Sequence, residues 1–306
     1  MNLGILTATI SESDFFPNII DLKKIGEAKG HKVDLFKNGE FNLFVGTGSS
    51  ELLYRGQKII PSDYDIMLNR LSVKEKSNAE FYVVNQFLNS GVPVINSPDS
   101  VMKARNKLLS LQIMSNTGVM ISRSAVIRRP EDISVVLDTF KFPMIIKNIF
   151  GSLGSSTLII YDVKQLISTI DYIWNVNRNE IFLIQDYIRS YDNRASDFRV
   201  FVLGHKVIAS MKRTNSDMDF RANYKRGAQV SISELTEEET DQSIMLTKAF
   251  GLEIAGVDFI RTDNGPVFLE INSNPGLEGI RKATINKKFD ILERIIDRLE
   301  ELCAAK

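Results

Sequence analysis

The feature that most limits the fold is the alternation of short apolar runs with helix-like stretches across residues 1–96. Leu3 to Leu6, Val33 to Phe36, Asp65 to Leu68 and Val92 to Ile95 read as strands. Asp21 to Gly30, closed by a glycine suited to a C-cap, and Lys76 to Leu88 read as helices. This βαβ rhythm needs crossover connections, so it predicts a parallel sheet with covering helices, an α/β fold. Gly46-Thr47-Gly48-Ser49-Ser50 carries part of a dinucleotide fingerprint, but Glu51 stands where the third glycine belongs. The stretch is expected to be a turn.

A boundary falls at Asn96-Ser97-Pro98, where Ser97 can cap a helix that has Pro98 at its first position. Helical sequence runs to Asn116-Thr117-Gly118 with a break near Arg105-Asn106. A helix over Pro130 to Thr139, a strand at Met144 to Asn148, a Gly/Ser loop, a strand at Thr157 to Tyr161, a helix over Val163 to Val176 and a strand at Ile181 to Asp186 follow. The last third opens with strands Phe198 to Leu203 and Lys206 to Met211 about a Gly204-His205 turn. A helix then starts in the acidic run Glu234 to Asp241 and ends near Gly251. Strands Ala255 to Ile260 and Val267 to Ile271 precede an amphipathic helix, Phe289 to Leu302. The C-terminal half is thus expected to be α+β, and the expected domains are 1–96, 97–188 and 189–306.

Several function classes drop out. Lys plus Arg is 38 and Asp plus Glu is 38, so no global basic field draws the chain to nucleic acid or membrane. Cys303 is the one cysteine, which excludes a disulfide framework and a Cys-based zinc site. His31 and His205 are the only histidines, too few for a His-rich metal site and unpromising for a Ser-His-Asp triad. The N-terminus lacks the basic flank of a signal peptide, and no apolar stretch nears the roughly 20 residues of a membrane span. A cytoplasmic protein is expected.

The sharpest chemistry lies in Asp258, Glu270 and Asn272. Strict alternation along Val267 to Asn272 puts Phe268, Glu270 and Asn272 on one face and Val267, Leu269 and Ile271 on the other. A three-residue turn centred on Asn264, with Gly265 left-handed, sets Asp258 opposite Glu270. Facing carboxylates repel unless a cation lies between them, and two carboxylates with an amide suit Mg²⁺ or Mn²⁺. Lys147 sits in an apolar strand, where an unpaired ammonium is costly, and leads into a Gly/Ser loop (Gly151, Ser152, Gly154) whose amides can wrap phosphate. No Gly-Lys-Ser/Thr follows, which excludes a Walker loop. Arg221 and Asn223, two apart, can clamp a developing phosphoryl charge. Lys107 follows the helix break. Taken singly, the Gly/Ser stretch reads at least as well as a plain hairpin, the Arg221 stretch competes with a solvated basic loop, and a lone Lys107 is more often just a solvated charge.

Together these stretches resemble the ATP-grasp superfamily, and within it the RimK family of α-L-glutamate ligases. The matching pieces, in family order, are Ala104 to Leu108, the Lys147 strand and loop, Ile184 to Ile188, Ser196 to Val200, Asp219 to Asn223, Ala255 to Asp258 and Leu269 to Gly279. The resemblance implies an ATP-grasp fold with an N-terminal pre-ATP-grasp domain, a lid subdomain and a metal-bearing C-terminal subdomain. It implies an ATP-dependent carboxylate–amine ligase: ATP phosphorylates a carboxylate, and an amine attacks the acyl phosphate. Its implied roles are phosphate contacts for Lys107, Lys147 and the Gly151-Ser152-Gly154 loop, and adenine-hinge positions for Gln185, Asp186 and Tyr187. Asp197 corresponds to the ribose-binding acid, Arg213, Arg221 and Asn223 surround the transferred phosphoryl group, and Asp258, Glu270 and Asn272 hold the metal. Arg70, Asn274 and Gly276 fall at the substrate. Ser156 and Leu153 depart from the family's glycine-rich loop.

The expected partners are ATP, Mg²⁺ or Mn²⁺, glutamate or a similar amino acid, and an acceptor carboxylate on a protein, peptide or small molecule. A homo-oligomer, dimer or tetramer, is expected. The altered loop leaves a non-catalytic nucleotide-binding regulator as one alternative, and a biosynthetic ligase with glutathione-like or amino-group carrier substrates as another.

Overall fold

The computed structural model describes residues 1–8, 15–71, 79–150, 157–215, 228–287 and 289–305. Strand β1 (Asn2–Thr7) leads through helix α1 (Pro17–Ala28) to β2 (Lys32–Lys37). The expected rhythm is then interrupted: β3 (Phe41–Gly46), β4 (Ser49–Tyr54) and β5 (Gln57–Ile59) form a separate antiparallel sheet. Thr47-Gly48 is the tip of its first hairpin, in agreement with the turn reading. Next come β6 (Ile66–Arg70), α2 (Tyr82–Asn89) and β7 (Val94–Ile95). The first sheet has the order β2-β1-β6-β7 and is parallel throughout. From β1 the chain winds outward to β2 on one side and to β6 on the other. The crevice at the carboxyl ends of β1 and β6, where Thr7 pairs with Arg70, is therefore the switch point at which such sheets bind ligands.

Helix α3 (Pro98–Arg105) starts at Ser97, whose Oγ accepts from the Ser100 amide at 3.2 Å. It stops where Asn106 leaves the helical region with ψ at 102°. The Asn106 Oδ1 accepts from the amides of Leu108 and Leu109, both at 3.1 Å, and so caps α4 (Lys107–Asn116). The predicted break is a capped restart, and it fixes Lys107 at the first turn of a new helix.

The second sheet holds β8 (Ser124–Ile127), β9 (Met144–Asn148), β10 (Thr157–Ile160) and β11 (Phe182–Asp186), with α5 (Asp132–Thr139) between β8 and β9 and α6 (Val163–Val176) between β10 and β11. Its order is β10-β9-β11-β8 and its pairs are antiparallel. The third sheet contains β12 (Ser196–Leu203), β13 (Lys206–Thr214), β14 (Gln229–Ile232), β15 (Ile254–Thr262) and β16 (Gly265–Asn272), with α7 (Glu237–Phe250) before β15. Its order is β14-β13-β12-β15-β16, also antiparallel. Helices α8 (Leu277–Ala283) and α9 (Ile291–Ala304) follow. The parallel sheet with antiparallel sheets after it is the α/β and α+β combination the sequence predicts.

The third sheet has two different faces. Phe198, Val200, Val257, Phe259, Phe268 and Ile271 form one, packed with Leu246 and Phe250 of α7. The other is apolar at one end only, where Phe201, Met211 and Ile254 join Leu3, Ile5, Ile66 and Leu68 of the first sheet and Ile291, Ile295 and Leu299 of α9 in one core. Buried Asn96 locks this junction. Its Nδ2 donates to the carbonyls of Ile254 and Ser273, both at 2.7 Å, and its Oδ1 accepts from the Glu253 and Ile254 amides at 2.9 and 3.2 Å. All of its side-chain capacity is used, as burial of an amide demands.

Candidate active site

The β15–β16 hairpin brings Asp258 opposite Glu270, as predicted, but by a different route. Thr262 pairs with Gly265, so the loop is the two residues Asp263 and Asn264 rather than three. The register then shifts between Asp258 and Phe259: Phe259 pairs with Phe268 and Asp258 with Glu270, which leaves Leu269 as the extra residue of a bulge. The bulge corrects the predicted alternation. Phe268 lies on the apolar face beside Phe259, ring centroids 5.4 Å apart, while Val267 takes the face of Glu270. Leu269 is half-buried and belongs to none of the apolar cores.

The far end of the second face is charged. Asp197 pairs across strands with Arg213, and Arg199 with Asp258. Arg199 grips Asp258 with two hydrogen bonds, Nε to Oδ1 at 2.7 Å and Nη2 to Oδ2 at 2.5 Å. Arg213 grips Asp197 likewise, at 2.5 and 2.7 Å, and its Nη2 also reaches Asp258 Oδ2 at 3.0 Å. Asn272 donates from Nδ2 to Glu270 Oε1 at 3.1 Å and to Asp258 Oδ2 at 3.4 Å. Burial alone would raise the Asp258 carboxyl, but the two guanidinium groups hold it below the usual carboxylate range. Burial raises Asp197 to about 6 against the pull of Arg213, whose own proton is held more firmly than usual by Asp197 and Asp258.

Lys147 projects from β9 and Lys107 from the start of α4, and both feel the charge of Glu270. Burial lowers the Lys147 ammonium to about 8; Glu270 opposes this, and Lys107 adds to it. Burial lowers Lys107 too, with Glu270 opposing and Arg105 adding. Two lysines, Arg105 and the Glu270 carboxylate thus share one neighbourhood with an excess of positive charge, the electrostatics of a phosphate site. The Arg105 Nε is buried without a hydrogen-bond partner.

At the hinge, the Gln185 side chain points to β8, Nε2 donating to Ser124 Oγ at 2.7 Å. The Asp186 amide donates to the Arg123 carbonyl at 3.1 Å, and its carbonyl accepts from Ser122 Oγ at 2.8 Å. Its carboxylate pairs with Arg123. Both backbone polar groups of Asp186 are therefore engaged within the protein, and Tyr187 is the first residue past β11. Arg70 donates from Nη2 to the Pro275 carbonyl at 2.9 Å, and Asn274 from Nδ2 to the Arg70 carbonyl at 2.8 Å. Gly276 precedes α8 as its N-cap. Gly151, Ser152, Gly154, Arg221 and Asn223, with Leu153 and Ser156, lie outside the described residues.

The sequence reading assigned no role to Arg199 or Arg105. Arg199 was legible: Asp197 and Arg199 are two apart on a strand, so they share a face with their cross-strand partners. Arg105 carried no such signal, because its burial depends on tertiary packing. Among the described residues no cluster of three or more His, Cys, Asp or Glu forms, so a cation site here rests on two carboxylates and an amide. Those oxygen donors fit a hard divalent ion. Asp258 Oδ1 carries only one hydrogen bond, and a turn of the Asn272 amide presents its oxygen.

A parallel sheet, the two larger antiparallel sheets and a cationic cluster beside the acid–amide set make the arrangement of an ATP-grasp ligase. Residues 104–298 match the family model of the RimK-like ATP-grasp domain, and residues 1–101 that of the RimK pre-ATP-grasp domain. The chain belongs to the RimK-like ATP-grasp family. A probable alpha-L-glutamate ligase of Vibrio vulnificus is 32% identical over 298 residues, covering 96% of this chain and 95% of that protein. Among solved structures, the ATP-grasp ligase PsnB complexed with a minimal precursor superposes with a TM-score of 0.74 at 19% identity, covering 98% of both chains. The D-alanine–D-alanine ligase of Bacillus anthracis complexed with ATP gives 0.70 at 17% identity, covering 100% of this chain and 99% of that one. These two likenesses show the shared fold.

Proposed function

We propose that the protein uses ATP and a divalent cation to join glutamate, or a similar amino acid, to a carboxylate through an acyl phosphate. The observation that carries this reading is the meeting of Lys107, Lys147, Asp258 and Asn272, from three separate parts of the chain, around Glu270. The kinship with the Vibrio glutamate ligase supports the choice of amino acid, and PsnB, also solved with Mg and ADP, supports the nucleotide and metal.

Asp258, Glu270 and Asn272 would hold Mg²⁺, which when bound neutralises phosphate charge and draws the terminal phosphoryl group into line. Lys107 and Lys147 bind phosphate oxygens in this reading, beside the Glu270 carboxylate that both feel. Arg199 fixes the Asp258 carboxylate in one orientation, and Arg213 ties Asp197 to the same network, so metal and ribose positions are set by one rigid sheet. Arg221 and Asn223 act on the phosphoryl group in this reading, and Gly151, Ser152 and Gly154 on phosphate, as the resemblance implies.

The deciding experiment is ADP release with Mg²⁺, pooled acceptors and single amino acids. ADP and amide formed only with glutamate and one acceptor pool support the reading. ATP binding without ADP under every pool moves the nucleotide-binding regulator ahead.

A further inference from the structure

The second sheet ends in an edge strand with backbone groups to spare. β8 is the last strand of that sheet and pairs only with β11. The Asp186 amide bonds to the Arg123 carbonyl, and with the β8–β11 register this makes Arg123, Ala125 and Ile127 the residues whose backbone groups face β11. The amides and carbonyls of Ser124 and Val126 therefore point outward. Among the described residues these four groups have no hydrogen-bond partner. On the same edge, the Ser122 carbonyl is already closed off, since Ser124 Oγ donates to it at 2.8 Å. Exposed edges are commonly blunted by lysine, proline or a bulge. The Ser-Ala-Val-Ile of β8 contains neither residue, and its register is unbroken.

This edge forms one wall of a cavity of about 540 Å³. The other wall is a single stripe of α4, Leu108, Leu111, Gln112, Ser115 and Asn116, spaced as one helix face, and Leu183 lies between the walls. The side chains of Gln112, Ser115 and Asn116 carry no hydrogen bond among the described residues. Gln112 and Asn116 are about 6 Å apart along the helix axis, and the outward groups of a strand repeat about every 6.8 Å. Polar groups thus run along both walls at nearly matching spacing, rather than converging on one point as they do around a compact small molecule. Arg123 is the single charged residue of the lining, and its guanidinium is turned away. It pairs with Asp186 at 3.1 and 3.3 Å and lies 4.8 Å from the centre of the Phe140 ring. The charge pattern therefore suits an uncharged occupant. None of the residues assigned above to ATP or metal lines this cavity.

We propose that this cavity docks an extended segment of a partner polypeptide, which joins the second sheet as a strand beside β8. Ser124 and Val126 supply four backbone hydrogen bonds to one edge of the segment. Gln112 and Asn116, whose amides both donate and accept, serve its other edge. Alternate side chains of the segment turn toward Leu108, Leu111 and Leu183, so those positions take aliphatic residues and the positions between them take small polar ones. Docking here is independent of the ligase reading, because the groove and the acid–amide set share no residue.

The test is fluorescence anisotropy with the full-length protein, held in saturating Mg²⁺, a non-hydrolysable ATP analogue and L-glutamate so that the reaction site is filled. The probe is a pool of fluorescein-labelled, end-capped hexapeptides that alternate Val, Leu or Ile with Ser or Thr. Saturable binding is expected. The same pool N-methylated at every peptide nitrogen keeps its side chains but loses the ladder, and should bind at least about tenfold more weakly. Val126→Pro removes one outward N–H and leaves the bonds to β11 in place. Ser115→Trp fills the groove from an exposed helix position. Both variants should weaken the pool at least about tenfold, with ATP-analogue affinity unmoved. No saturable binding, or binding that survives N-methylation or either folded variant, overturns the proposal. Self-association that both variants abolish overturns it too, because a second copy of the chain then occupies the edge. Should Val126→Pro fail to fold, Ser115→Trp and the N-methylated pool still decide. Absence of ADP formation removes the ligase reading instead and leaves this result untouched.

Discussion

Glu270 is the residue at which the two lysines and the acid–amide set meet, and it contributes charge rather than core volume. Glu270→Ala is expected to cut amide formation by at least about 100-fold while leaving the thermal midpoint nearly unchanged. Near-native turnover in Mg²⁺ would remove it from the metal set. Lys147 supplies a pH signature. Its folded value of about 8 lies below the ordinary lysine value of 10.5, so the ligand-free fold carries a burial penalty below pH 8 that is relieved as pH rises through that window. Nucleotide binding runs the other way, because phosphate needs the ammonium form. Affinity for ATP should be full below about pH 8 and fall above it, and Lys147→Arg, charged throughout, should flatten that profile in calorimetric titrations. At this scale the sequence was informative wherever a charged side chain interrupted an apolar strand, as Lys147 and Asp258 do. It was silent on Arg105, whose surroundings come from distant parts of the chain.

The hairpin β15–β16 shows how an element can reach a predicted geometry by a route that alternation does not reveal. A two-residue loop alone would place Asp258 opposite Leu269; the bulge at Leu269 restores Glu270 and turns Phe268 into the core. Bulges follow from how a strand must bend over its neighbours, and strict period-two reading cannot see them. The same limit hid β3 to β5, since Phe44 and Val45 are both exposed and the expected in–out pattern is missing. Helix limits set by caps, such as Ser97 and Asn106, were legible because capping is local chemistry. Gly256 is the element's tight spot: a Cβ there would lie 2.9 Å from Pro275 Cβ and 3.5 Å from the Arg199 Nε. Gly256→Ala should cost roughly 1–3 kcal/mol in urea denaturation and weaken Mn²⁺ binding, because the Asn274-Pro275 loop just beyond Asn272 must move. An unchanged Mn²⁺ affinity would show that the shift of Pro275 does not reach Asn272.

For the whole molecule, Asn96 is the counterpart of Gly256. It bonds to β15 and to the segment after β16 from a position just beyond β7, so it joins the first sheet to the third. Asn96→Ala strands the Ile254 and Ser273 carbonyls in a buried setting and should destabilise the protein by roughly 2–4 kcal/mol, read from denaturant midpoints. The pairing of sheets through Asn96 was not legible, because the sequence reading treated Asn96-Ser97-Pro98 only as a boundary.

The core shared by residues 3–68 and 291–299 bears on how the chain is made. The chain makes β1, α1 and β6 well before α9, which supplies part of the apolar surface that covers them. Until then, Leu3, Ile5 and Leu68 are covered only in part, by elements such as α1 with Ile19 and Leu22. Conversely, an mRNA truncated before residue 291 yields a product whose opening sheet is left sticky, a ready substrate for proteolysis.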